Sequence, residues 1–333
     1  MRNDVPEVRS IVGVALNAAI DKTVAVDRLE AGAIHRPTVL STVPGGKAAN
    51  AVRAAAALGL PGRVVAVLGG HAGGWYSEAL ERLGIDLTAI DVEGETRTCL
   101  SVLDRSTGQL TELYEPGLTV PDDAWSRIES ALDGVLGSGA RSLVLLAGSL
   151  PPGLPDDAYR RLGSLCTARG APWVVDVGGP PLLAALDAEP WLVKVNVREA
   201  AEAFGLRHTN DTGTVSDLAE RLLERGARNV LITRGREGAV LRTRDGIWTM
   251  GPPPVTGPFS VGSGDALIAG LAVGLSRGQS LPEAFRYGGG VAAANALVPG
   301  QGLLDQGRID EIVAAISLTE AAHAPPGRSD AAG

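Results

Sequence analysis

From residue 121 onward, the apolar positions form short continuous runs separated by stretches with helical spacing. The runs at 142–146, 173–176, 192–195 and 230–233 are rich in Val, Leu and Ile and have the length of buried strands. The stretches between them place apolar residues three and four positions apart, which indicates helices. Strands that alternate with helices predict a mostly parallel sheet covered on both faces, and therefore an α/β fold.

The first third of the chain mixes this rhythm with strand pairs of another kind. Strands are predicted at 11–16 and 64–68, and the small residues after Lys47 predict a helix that stops at Gly59. Two other regions, at about 23–43 and 95–116, alternate apolar and polar residues, and the second contains a hairpin signal. Because these regions fall outside the strand-helix rhythm, we expect them to form a small inserted β-sheet lid.

The domain organisation follows from this pattern. We find no internal repeat and no linker, so residues 1–318 are expected to form one domain that carries the lid. The strand 230–233 is followed by a predicted hairpin at 239–250. The end of the chain, 319–333, closes with APPGRSDAAG, which is typical of a disordered tail.

The composition excludes several classes of function. The chain has 333 residues, 45% of them hydrophobic, which is enough for one large domain with an appendage. A formal charge of −8 and an isoelectric point near 5.1 argue against non-specific binding to nucleic acid or to an acidic membrane. Cys99 and Cys166 form neither a metal motif nor a disulfide framework. Without a signal-like leader or a membrane-length apolar run, we expect a soluble cytoplasmic protein.

The segment 255–275 is the first candidate for chemistry. Gly262-Ser263-Gly264 is a glycine-rich loop that places Asp265 in the first turn of an apolar helix. The free amides at such a helix start attract an anion, and Asp265 would serve as a base beside it. The commoner explanation of this stretch alone is a core helix whose first turn is capped by Asp265. Both interpretations stay open on these residues.

Several other polar loops follow predicted strands. Because the carboxyl ends of parallel strands meet at one edge of a sheet, we expect these loops to share a cleft. Each loop alone is more often a turn or a helix cap than a site. The residues are Asn17, Asp21, Gly45, Gly46, Lys47, Asn50, Gly148, Ser149, Lys194, Asn196, Glu199, Thr233, Gly235 and Gly238.

Three motifs in this order resemble the ribokinase/PfkB family of sugar kinases. PGGKAANAVRAAAALG at 44–59 resembles the first family signature, VGSGDALIAG at 261–270 resembles the second, and TRGREGAV at 233–240 is similar to the nucleotide-loop segment. The resemblance extends over 11–316. It implies a ribokinase-like three-layer α/β/α sandwich with a mostly parallel central sheet and a small β-sheet lid.

Further segments resemble the phosphohexose branch of that family, which contains 1-phosphofructokinase and tagatose-6-phosphate kinase. They are NAAIDKT, ETRTCLSV, TELYEPG and AGSLPPGLPDDAY. The resemblance implies ATP-dependent phosphorylation of a hydroxymethyl group of a ketohexose phosphate. Fructose 1-phosphate is the first expectation, and tagatose 6-phosphate, fructose 6-phosphate or a sugar with another anionic group are the alternatives.

The sequence departs from the family pattern at several positions. Ala18 stands where proline is usual, Val195 interrupts the KPN segment, and Cys99 replaces a common asparagine. VGGPPL follows Asp176 where relatives have a serine before glycine. The Gly-Ser-Gly-Asp loop is intact, so these departures bear on the identity of the sugar rather than on activity.

The resemblance also implies roles for individual residues. Asp265 would be the general base, with Gly262, Ser263 and Gly264 around the transferring phosphoryl group. Arg97 would grip the phosphate of the sugar, whereas Arg36, a further lid candidate, is more simply an exposed strand arginine. The implied sugar-binding residues are Asp21, Gly45, Gly46, Lys47, Asn50, Arg97 and Ser149. Those implied for ATP are Lys194, Asn196, Thr233, Gly235, Gly238 and, at the adenine, Asn295.

Mg²⁺ is the implied metal, held by Glu199 and Asn196 through water. Without a metal, Glu199 would be a solvated carboxylate on a helix and Asn196 a helix cap. The unpaired strand edges of the lid predict a homodimer formed through it. A sugar-phosphate sensor without turnover is the non-enzyme alternative, and the intact glycine loop disfavours it. A nicotinamide-dependent dehydrogenase is disfavoured because no GxGxxG follows the first strand.

Overall fold

The computed structural model describes residues 5–137, 141–207, 211–301 and 305–321. Strands and helices alternate through most of these ranges. The strands are β1 (Ser10–Ala15), β2 (Ala19–Val26), β3 (Thr38–Gly45), β4 (Gly62–Leu68), β5 (Asp86–Asp91), β6 (Arg97–Asp104), β7 (Gln109–Tyr114), β8 (Ser142–Ala147), β9 (Trp173–Asp176), β10 (Leu192–Asn196), β11 (Val230–Thr233), β12 (Ala239–Arg242), β13 (Ile247–Met250) and β14 (Leu318–Ala321).

The α-helices follow the strands closely in the chain. They are α1 (Lys47–Ala57), α2 (Gly70–Arg82), α3 (Asp122–Leu136), α4 (Ala158–Ala168), α5 (Pro180–Leu186), α6 (Val197–Ala203), α7 (Thr212–Glu224), α8 (Ser263–Ser276), α9 (Leu281–Asn295) and α10 (Gln306–Ala315). Two short 3₁₀ turns lie at Gly235–Glu237 and Pro299–Gln301.

In the described ranges the main sheet has ten strands in the order β14-β13-β12-β11-β10-β9-β8-β1-β4-β5. The neighbours from β11 to β5 pair in parallel, and β12, β13 and β14 are antiparallel additions at one end. The predicted mostly parallel sheet is therefore confirmed. Because β1, β8, β9, β10 and β11 are parallel, their carboxyl ends meet at the same edge.

Helices cover both faces of this sheet, which makes three layers. In β1, Ile11 and Ala15 point into the core beneath α1, α8 and α9, whereas Val12 and Val14 point into the core beneath α3, α4 and α7. Both faces of each central strand are thus buried, which explains the continuous apolar runs in the sequence. The predicted α/β/α sandwich is confirmed.

The helix after the glycine loop is buried on nearly every side. Eleven of the 14 residues of α8 are buried, and α8 packs against both α1 and α9. This all-round burial agrees with the apolar pattern of its sequence. It gives the glycine loop a rigid base, because any shift of α8 would disturb a close-packed core.

The second sheet has four strands within the described residues, in the order β3-β2-β6-β7. We call it the lid. Its strands fall within or next to the two regions predicted for it, and β6 and β7 form the predicted hairpin. Its own apolar core is small and consists of Val24, Val26 and Val102 with two partly buried leucines. Most of its stability must therefore come from strand pairing and from its attachment to the domain.

The carboxyl-terminal boundary differs from the prediction. β14 pairs antiparallel with β13, so residues predicted to start a disordered tail at 319 instead complete the sheet edge. A four-residue strand leaves too short a periodic pattern to be recognised in the sequence. The rest of the predicted tail, 322–333, lies outside the described residues. Across the helices of the described ranges, none has both the length and the apolarity needed to cross a membrane.

Candidate active site

The polar loops predicted to share a cleft do meet at the carboxyl edge of the main sheet. They line a cavity of about 680 Å³ between that edge and the lid, which we call the lid cavity. The sheet supplies loops after β1, β8, β10 and β11, and the lid supplies inward-facing residues of β2, β6 and β7. The predicted residues that line it are Asp21, Gly46, Lys47, Asn50, Arg97, Ser149, Lys194, Asn196, Glu199, Thr233, Gly262, Gly264 and Asp265.

A second cavity of about 400 Å³ lies on the other side of the glycine loop, and we call it the loop cavity. Glycines, alanines and apolar side chains line most of it, together with Gly235, Gly238 and Ser263. Asn196, Thr233 and Gly264 line both cavities. The glycine loop therefore lies at the junction of a polar cavity and an apolar one, an arrangement suited to two substrates that react with each other.

The glycine loop has the geometry of an anion site, with one correction. Gly262 is left-handed at φ 75° and caps α8. The N–H of Ser263 donates to Ser260 O at 3.2 Å, so this amide is already used within the loop. In the described part of the chain, the N–H groups of Gly264 and Asp265 have no acceptor, as is normal in the first turn of a helix. These two amides, rather than that of Ser263, are available to an anion.

Lys194 adds a positive charge directly beside these amides. A Cβ atom at Gly264 would lie 2.5 Å from Lys194 Nζ, so a larger residue there would displace the ammonium group from its present position. Lys194 is buried in the middle of β10, with 5% of its surface exposed. The loop therefore combines free amides, the helix dipole of α8 and an ammonium group at one point.

Asp265 is buried beside this positive region and faces the lid cavity. Its Oδ2 accepts a hydrogen bond from Asn50 Nδ2 at 3.2 Å, across the interface between α8 and α1. Burial and the nearby charge of Asp176 raise the pKa of Asp265 to about 7, although Lys194 and Lys47 oppose this. A carboxyl group with a pKa near neutrality suits proton transfer at physiological pH. Its exposure to the cavity distinguishes it from an ordinary helix cap.

Asn50 also holds Asp21, on the lid side of the same cavity. Asn50 Nδ2 donates to Asp21 Oδ2 at 3.0 Å, and the N–H of Gly46 approaches the same oxygen at 3.4 Å. Burial raises the pKa of Asp21, against the effect of these hydrogen bonds. Gly45 passes so close that a Cβ there would lie 2.2 Å from the Asp21 carboxyl carbon. The structure thus brings together Asp21, Gly45, Gly46 and Asn50, as predicted for the sugar side.

The centre of the site is Asp176, which the sequence analysis did not assign. It is fully buried at the end of β9 and accepts from Lys47 Nζ at 2.7 Å and Lys194 Nζ at 2.6 Å. Burial alone would raise the pKa of Asp176, but the two ammonium groups outweigh it and hold the pKa below its usual value. The available signal was a charged residue that ends the apolar strand WVVD. Asp176 thus holds together two lysines that both line the lid cavity.

Lys47 consequently lies at the middle of the site rather than on its sugar side alone. Its Nζ also approaches Glu199 Oε1 at 3.5 Å. Burial would lower the pKa of Lys47, yet the charges of Asp176 and Glu199 raise it, so the side chain remains an ammonium. Lys47 and Asn50 stand one turn apart on α1 and face the same cavity, as predicted.

Asn196 and Glu199 form a capping box at the start of α6. Asn196 Oδ1 accepts from the N–H of Glu199, and Glu199 Oε2 accepts from the N–H of Asn196, both at 2.9 Å. The capping interpretation of Asn196 is therefore correct, whereas Glu199 is mostly buried and not a solvated carboxylate. In the described ranges, no group of three or more His, Cys, Asp or Glu residues could hold a metal. Mg²⁺ at nucleotide phosphates needs only one or two carboxylates with water, which Glu199 at the cavity wall fits.

The lid arginines occupy different positions. Arg97 lines the lid cavity, where its terminal nitrogens donate to Asn17 O at 3.2 Å and Glu115 O at 3.3 Å. Its buried Nε has no partner among the described residues. Ser149 also faces this cavity and accepts from Asn17 Nδ2 at 2.9 Å. Arg36 is exposed in the connection between β2 and β3 and lines neither cavity, so it is not part of a strand or of this site.

The predicted nucleotide residues separate into two groups. Thr233, Gly235 and Gly238 line the loop cavity, and the two glycines are left-handed at φ 59° and 94°. Asn295 lines neither cavity, and its Nδ2 donates to Val261 O at 3.1 Å and Ser263 Oγ at 3.3 Å. It therefore lies outside the cavity that Thr233, Gly235 and Gly238 line, and its role at the adenine stays a prediction. Asn295 ends α9 behind the glycine loop and supports that loop from the interior.

The wall of the loop cavity was largely missed in the sequence. It is formed by the segment after β13 and by α8 and α9, including Pro253, Val255, Leu267, Gly289 and Ala293. No single one of these residues is distinctive, and the available sequence signal was the run of small residues GGGVAAA in α9. The segment 253–257 carries no periodic pattern, so its position depends on the tertiary fold.

Comparison with known proteins agrees with this architecture. Residues 11–305 match the pfkB family of carbohydrate kinases. The chain is 35% identical over 268 residues to a 1-phosphofructokinase of Xanthomonas campestris, covering 79% of this chain and 83% of that protein. It is 31% identical over 294 residues to an ATP-dependent 6-phosphofructokinase isozyme 2 of Mycobacterium tuberculosis, covering 87% of this chain and 85% of that protein.

Among solved structures, phosphofructokinase-2 from Escherichia coli in complex with potassium superposes with a TM-score of 0.84. The two are 25% identical, and the alignment covers 92% of this chain and 99% of that one. The family match spans most of the chain and includes the glycine loop, the lid, the whole lining of the lid cavity and all but Ile316 of the loop cavity. The chain therefore belongs to the pfkB family of carbohydrate kinases and is a sugar kinase that uses ATP and Mg²⁺.

Proposed function

We propose that this kinase transfers the terminal phosphoryl group of ATP to a hydroxymethyl group of a ketohexose phosphate, with fructose 1-phosphate as the acceptor and fructose 1,6-bisphosphate as the product. The observation that carries this proposal is the position of Asp265. It faces the lid cavity next to Gly264, where the polar and apolar cavities meet. A sugar in one cavity and a nucleotide in the other bring their reacting ends to this carboxylate.

Asp265 acts as the general base. Its Oδ takes the proton of the acceptor hydroxyl as that oxygen bonds to the terminal phosphorus of ATP. The bond from this phosphorus to the bridging oxygen breaks, and ADP leaves with the electron pair. The pKa of about 7 makes the carboxylate available above neutrality and still basic enough to accept the proton.

The charge that develops during transfer is met by fixed donors. The amides of Gly264 and Asp265 and the ammonium of Lys194 surround one point at the junction of the cavities. Lys47 stands beside them, held by Asp176. Such preorganised groups supply most of the catalysis in phosphoryl transfer. Mg²⁺, when bound near Glu199, adds positive charge at the nucleotide phosphates.

The acceptor is recognised from the lid and from α1. Asp21 accepts hydrogen bonds from sugar hydroxyls, because Asn50 and the Gly46 amide keep its carboxylate in place. Arg97 carries the phosphate specificity, since its guanidinium lines the cavity and its Nε lacks a partner among the described residues. Asn17, which Arg97 contacts, and Ser149 continue the same wall. The lid excludes water, which would otherwise compete for the phosphoryl group.

The choice among ketohexose phosphates rests on finer features. Cys99 pairs with Asp21 across β2 and β6 and lines the lid cavity where an asparagine is common in related kinases. A thiol is a weak hydrogen-bond partner, so this wall selects less strongly among hydroxyls. Tagatose 6-phosphate and fructose 6-phosphate therefore remain the alternative acceptors. The relative named 1-phosphofructokinase supports fructose 1-phosphate as the first of the three.

A panel of acceptors tests the proposal directly. ADP release is measured with ATP, Mg²⁺ and each of fructose 1-phosphate, fructose 6-phosphate, tagatose 6-phosphate and unphosphorylated fructose. The proposal expects the highest kcat/KM with fructose 1-phosphate and the lowest with fructose. A preference for either 6-phosphate would replace the acceptor, and binding of a sugar phosphate without ADP release would identify a sensor instead.

We also propose that two copies of the chain associate through the outer face of the lid. Ile34, Val39 and Leu113 are exposed there, at 89%, 55% and 58% of their surface, and β3 and β7 are edge strands. Light scattering after size-exclusion chromatography should report a dimer that becomes a monomer in the double variant Val39→Asp/Leu113→Asp. An unchanged mass would exclude the lid as the interface.

A cytoplasmic location completes the proposal. Cys99 and Cys166 are both buried free thiols, which suits a reducing compartment. Labelling with a maleimide in intact cells and after denaturation tests this. Both thiols should react after unfolding without prior reduction.

A further inference from the structure

Arg53 is a buried arginine for which neither the core nor the transfer reaction gives a role. It lies on α1, one turn after Asn50, with 6% of its surface exposed. Its guanidinium donates from NH1 to Asn50 Oδ1 at 3.3 Å and from NH2 to Gly300 O at 3.0 Å. Burying a guanidinium is costly unless its partners need it. Its Nε has no hydrogen-bond partner among the described residues. The negative charge of Asp21 favours the charged form of Arg53, so this charge and the two hydrogen bonds together offset the burial.

The Asn50 amide is the group that depends on Arg53. Asn50 Nδ2 donates both to Asp21 Oδ2 at 3.0 Å and to Asp265 Oδ2 at 3.2 Å. A side-chain amide can flip about its last torsion, which exchanges its oxygen and its nitrogen. After such a flip, Asn50 Oδ1 would face two carboxylates and repel both. A donor fixed at Oδ1 prevents the flip.

We propose that Arg53 is a positioning residue that locks the orientation of the Asn50 amide, so that one NH₂ group holds the sugar-binding Asp21 and the catalytic Asp265 together. Arg53 acts through Asn50 and lines neither cavity. This inference rests on the proposed role of Asp265 as the base. Without Arg53, Asp265 and Asp21 would lose the Asn50 amide as their common hydrogen-bond partner.

The other hydrogen bond of Arg53, to Gly300 O, connects the fixed Asn50 amide to the lid. Gly300 is left-handed at φ 74°, and a Cβ there would lie 2.5 Å from Ser41 of β3. The turn that carries Gly300 therefore packs directly under a lid strand and lines the lid cavity. Arg53 fixes Asn50 relative to this turn, so the amide orientation is tied to the part of the domain on which the lid rests.

Two substitutions at Arg53 separate its geometry from its charge. Arg53→Lys keeps a positive charge but offers one ammonium, which cannot span the two oxygens. Loss of one charge-assisted contact should lower kcat/KM about tenfold, and Arg53→Met, which also loses the charge, about 100-fold. If Arg53→Met fails to fold, Arg53→Lys alone still tests the proposal.

The pH dependence of kcat/KM distinguishes a role of Arg53 in positioning Asn50 from a role in stabilising the fold alone. The measured quantity is the pH at which kcat/KM falls on the acidic side, the acidic limb of the profile. The groups that face Asp265 are Asp176, Lys194, Lys47 and Asn50, and the Asn50 hydrogen bond lowers its pKa. Releasing Asn50 should therefore move the limb to higher pH, by up to about one unit. Arg242→Met is the matched control, because Arg242 is equally buried and ion-paired with Glu220 but lines neither cavity. It should lower Tm and leave the limb in place.

A double-mutant cycle with Asn50→Ala completes the test. If Arg53 acts through Asn50, adding Arg53→Lys to Asn50→Ala should change kcat/KM less than twofold. Additive losses, or an Arg53→Lys enzyme with an unmoved limb and a Tm loss like that of the control, would overturn the proposal. Carboxyl ¹³C NMR titration of Asp265 in the ligand-free protein gives the same pKa shift without turnover. It therefore tests Arg53 even if Asp265 is not the base.

Discussion

The lid cavity and the loop cavity share a wall, but their lining residues differ in polarity. Charged side chains from both the sheet edge and the lid line the lid cavity, including Asp21, Lys47, Arg97 and Asp265. Glycine, alanine and apolar residues line most of the loop cavity, where Arg236 is the charged residue among those described. A charged sugar requires fixed charges in matching positions, whereas a flat purine base requires shape and main-chain contacts.

This difference shows how the fold divides two tasks between its parts. The polar side chains come from loops after parallel strands, where they converge from distant parts of the chain. The apolar cavity comes from the close approach of α8 and α9, which small residues permit. The two meet at Gly264, so catalysis depends on a position that belongs to both. Substitutions on either side should therefore affect one substrate, and substitutions at the junction should affect turnover.

The largest effect is expected at the junction. Asp265→Asn removes the base and should lower kcat by about 10²- to 10⁴-fold, with KM for ATP little changed. In the wild type, kcat/KM should fall about tenfold per pH unit below about 7, because the carboxyl group is then protonated. ADP-release kinetics measure both. Asp86→Asn, at an exposed carboxylate outside both cavities, is the control, and near wild-type turnover in Asp265→Asn would remove the base assignment.

The same variant should stabilise the fold. The pKa of Asp265 is raised in the folded state, so above about pH 7 the protein retains a buried charge that the unfolded chain keeps in water. Asp265→Asn should therefore raise the free energy of unfolding by roughly a few kcal/mol at pH 8. The gain should shrink as the pH falls through 7 towards 4, where both states bind the proton. Urea unfolding across this range tests the sign, and a gain independent of pH would contradict it.

A substitution in the lid cavity should have a smaller effect, and this effect should be limited to the KM for the acceptor sugar. Arg97→Ala should raise KM for a phosphorylated sugar about 10- to 100-fold and leave KM for the unphosphorylated parent nearly unchanged. Arg36→Ala, at the exposed lid arginine outside both cavities, should change neither value. Steady-state kinetics with the paired sugars decide this. Equal effects of Arg97→Ala on both sugars would show that it does not grip the phosphate.

The smallest effect is expected in the loop cavity. Ala292 is partly exposed on its wall, so Ala292→Leu should narrow the cavity without unfolding α9. KM for ATP should rise by up to about tenfold while KM for the sugar stays constant. Ala131→Leu on α3 makes the same change away from both cavities and should leave both constants unaltered. An equal rise in both KM values would mean that the cavities are not separate binding regions.

Much of the architecture could be predicted from local sequence. Parallel strands covered on both faces require consecutive apolar residues, and β8, β9, β10 and β11 display them clearly. The glycine loop and the polar residues after the strands were likewise visible. The parallel topology then brings their ends to one edge. β14 was missed because a short edge strand with exposed residues has no strong periodicity.

The contacts inside the site could not be predicted in the same way. Asp176 bonds to Lys47 across 129 positions, and Arg53 bonds to Gly300 across 247. Asn295 belongs to an apolar helix, and only packing turns it towards the glycine loop instead of the loop cavity. Local sequence offers no rule for these pairings, because each depends on how close separate elements approach.

The sequence by itself determined the layered fold, the position of the glycine loop and the set of polar residues at one sheet edge, since these follow from periodicity and strand direction. The tertiary structure decided which of these residues form hydrogen bonds and ion pairs with one another. It placed two lysines on Asp176, joined two carboxylates through Asn50 and left the amides of Gly264 and Asp265 free. Hydrogen bonds and ion pairs act over a few ångströms, so only the packed fold can select these partners.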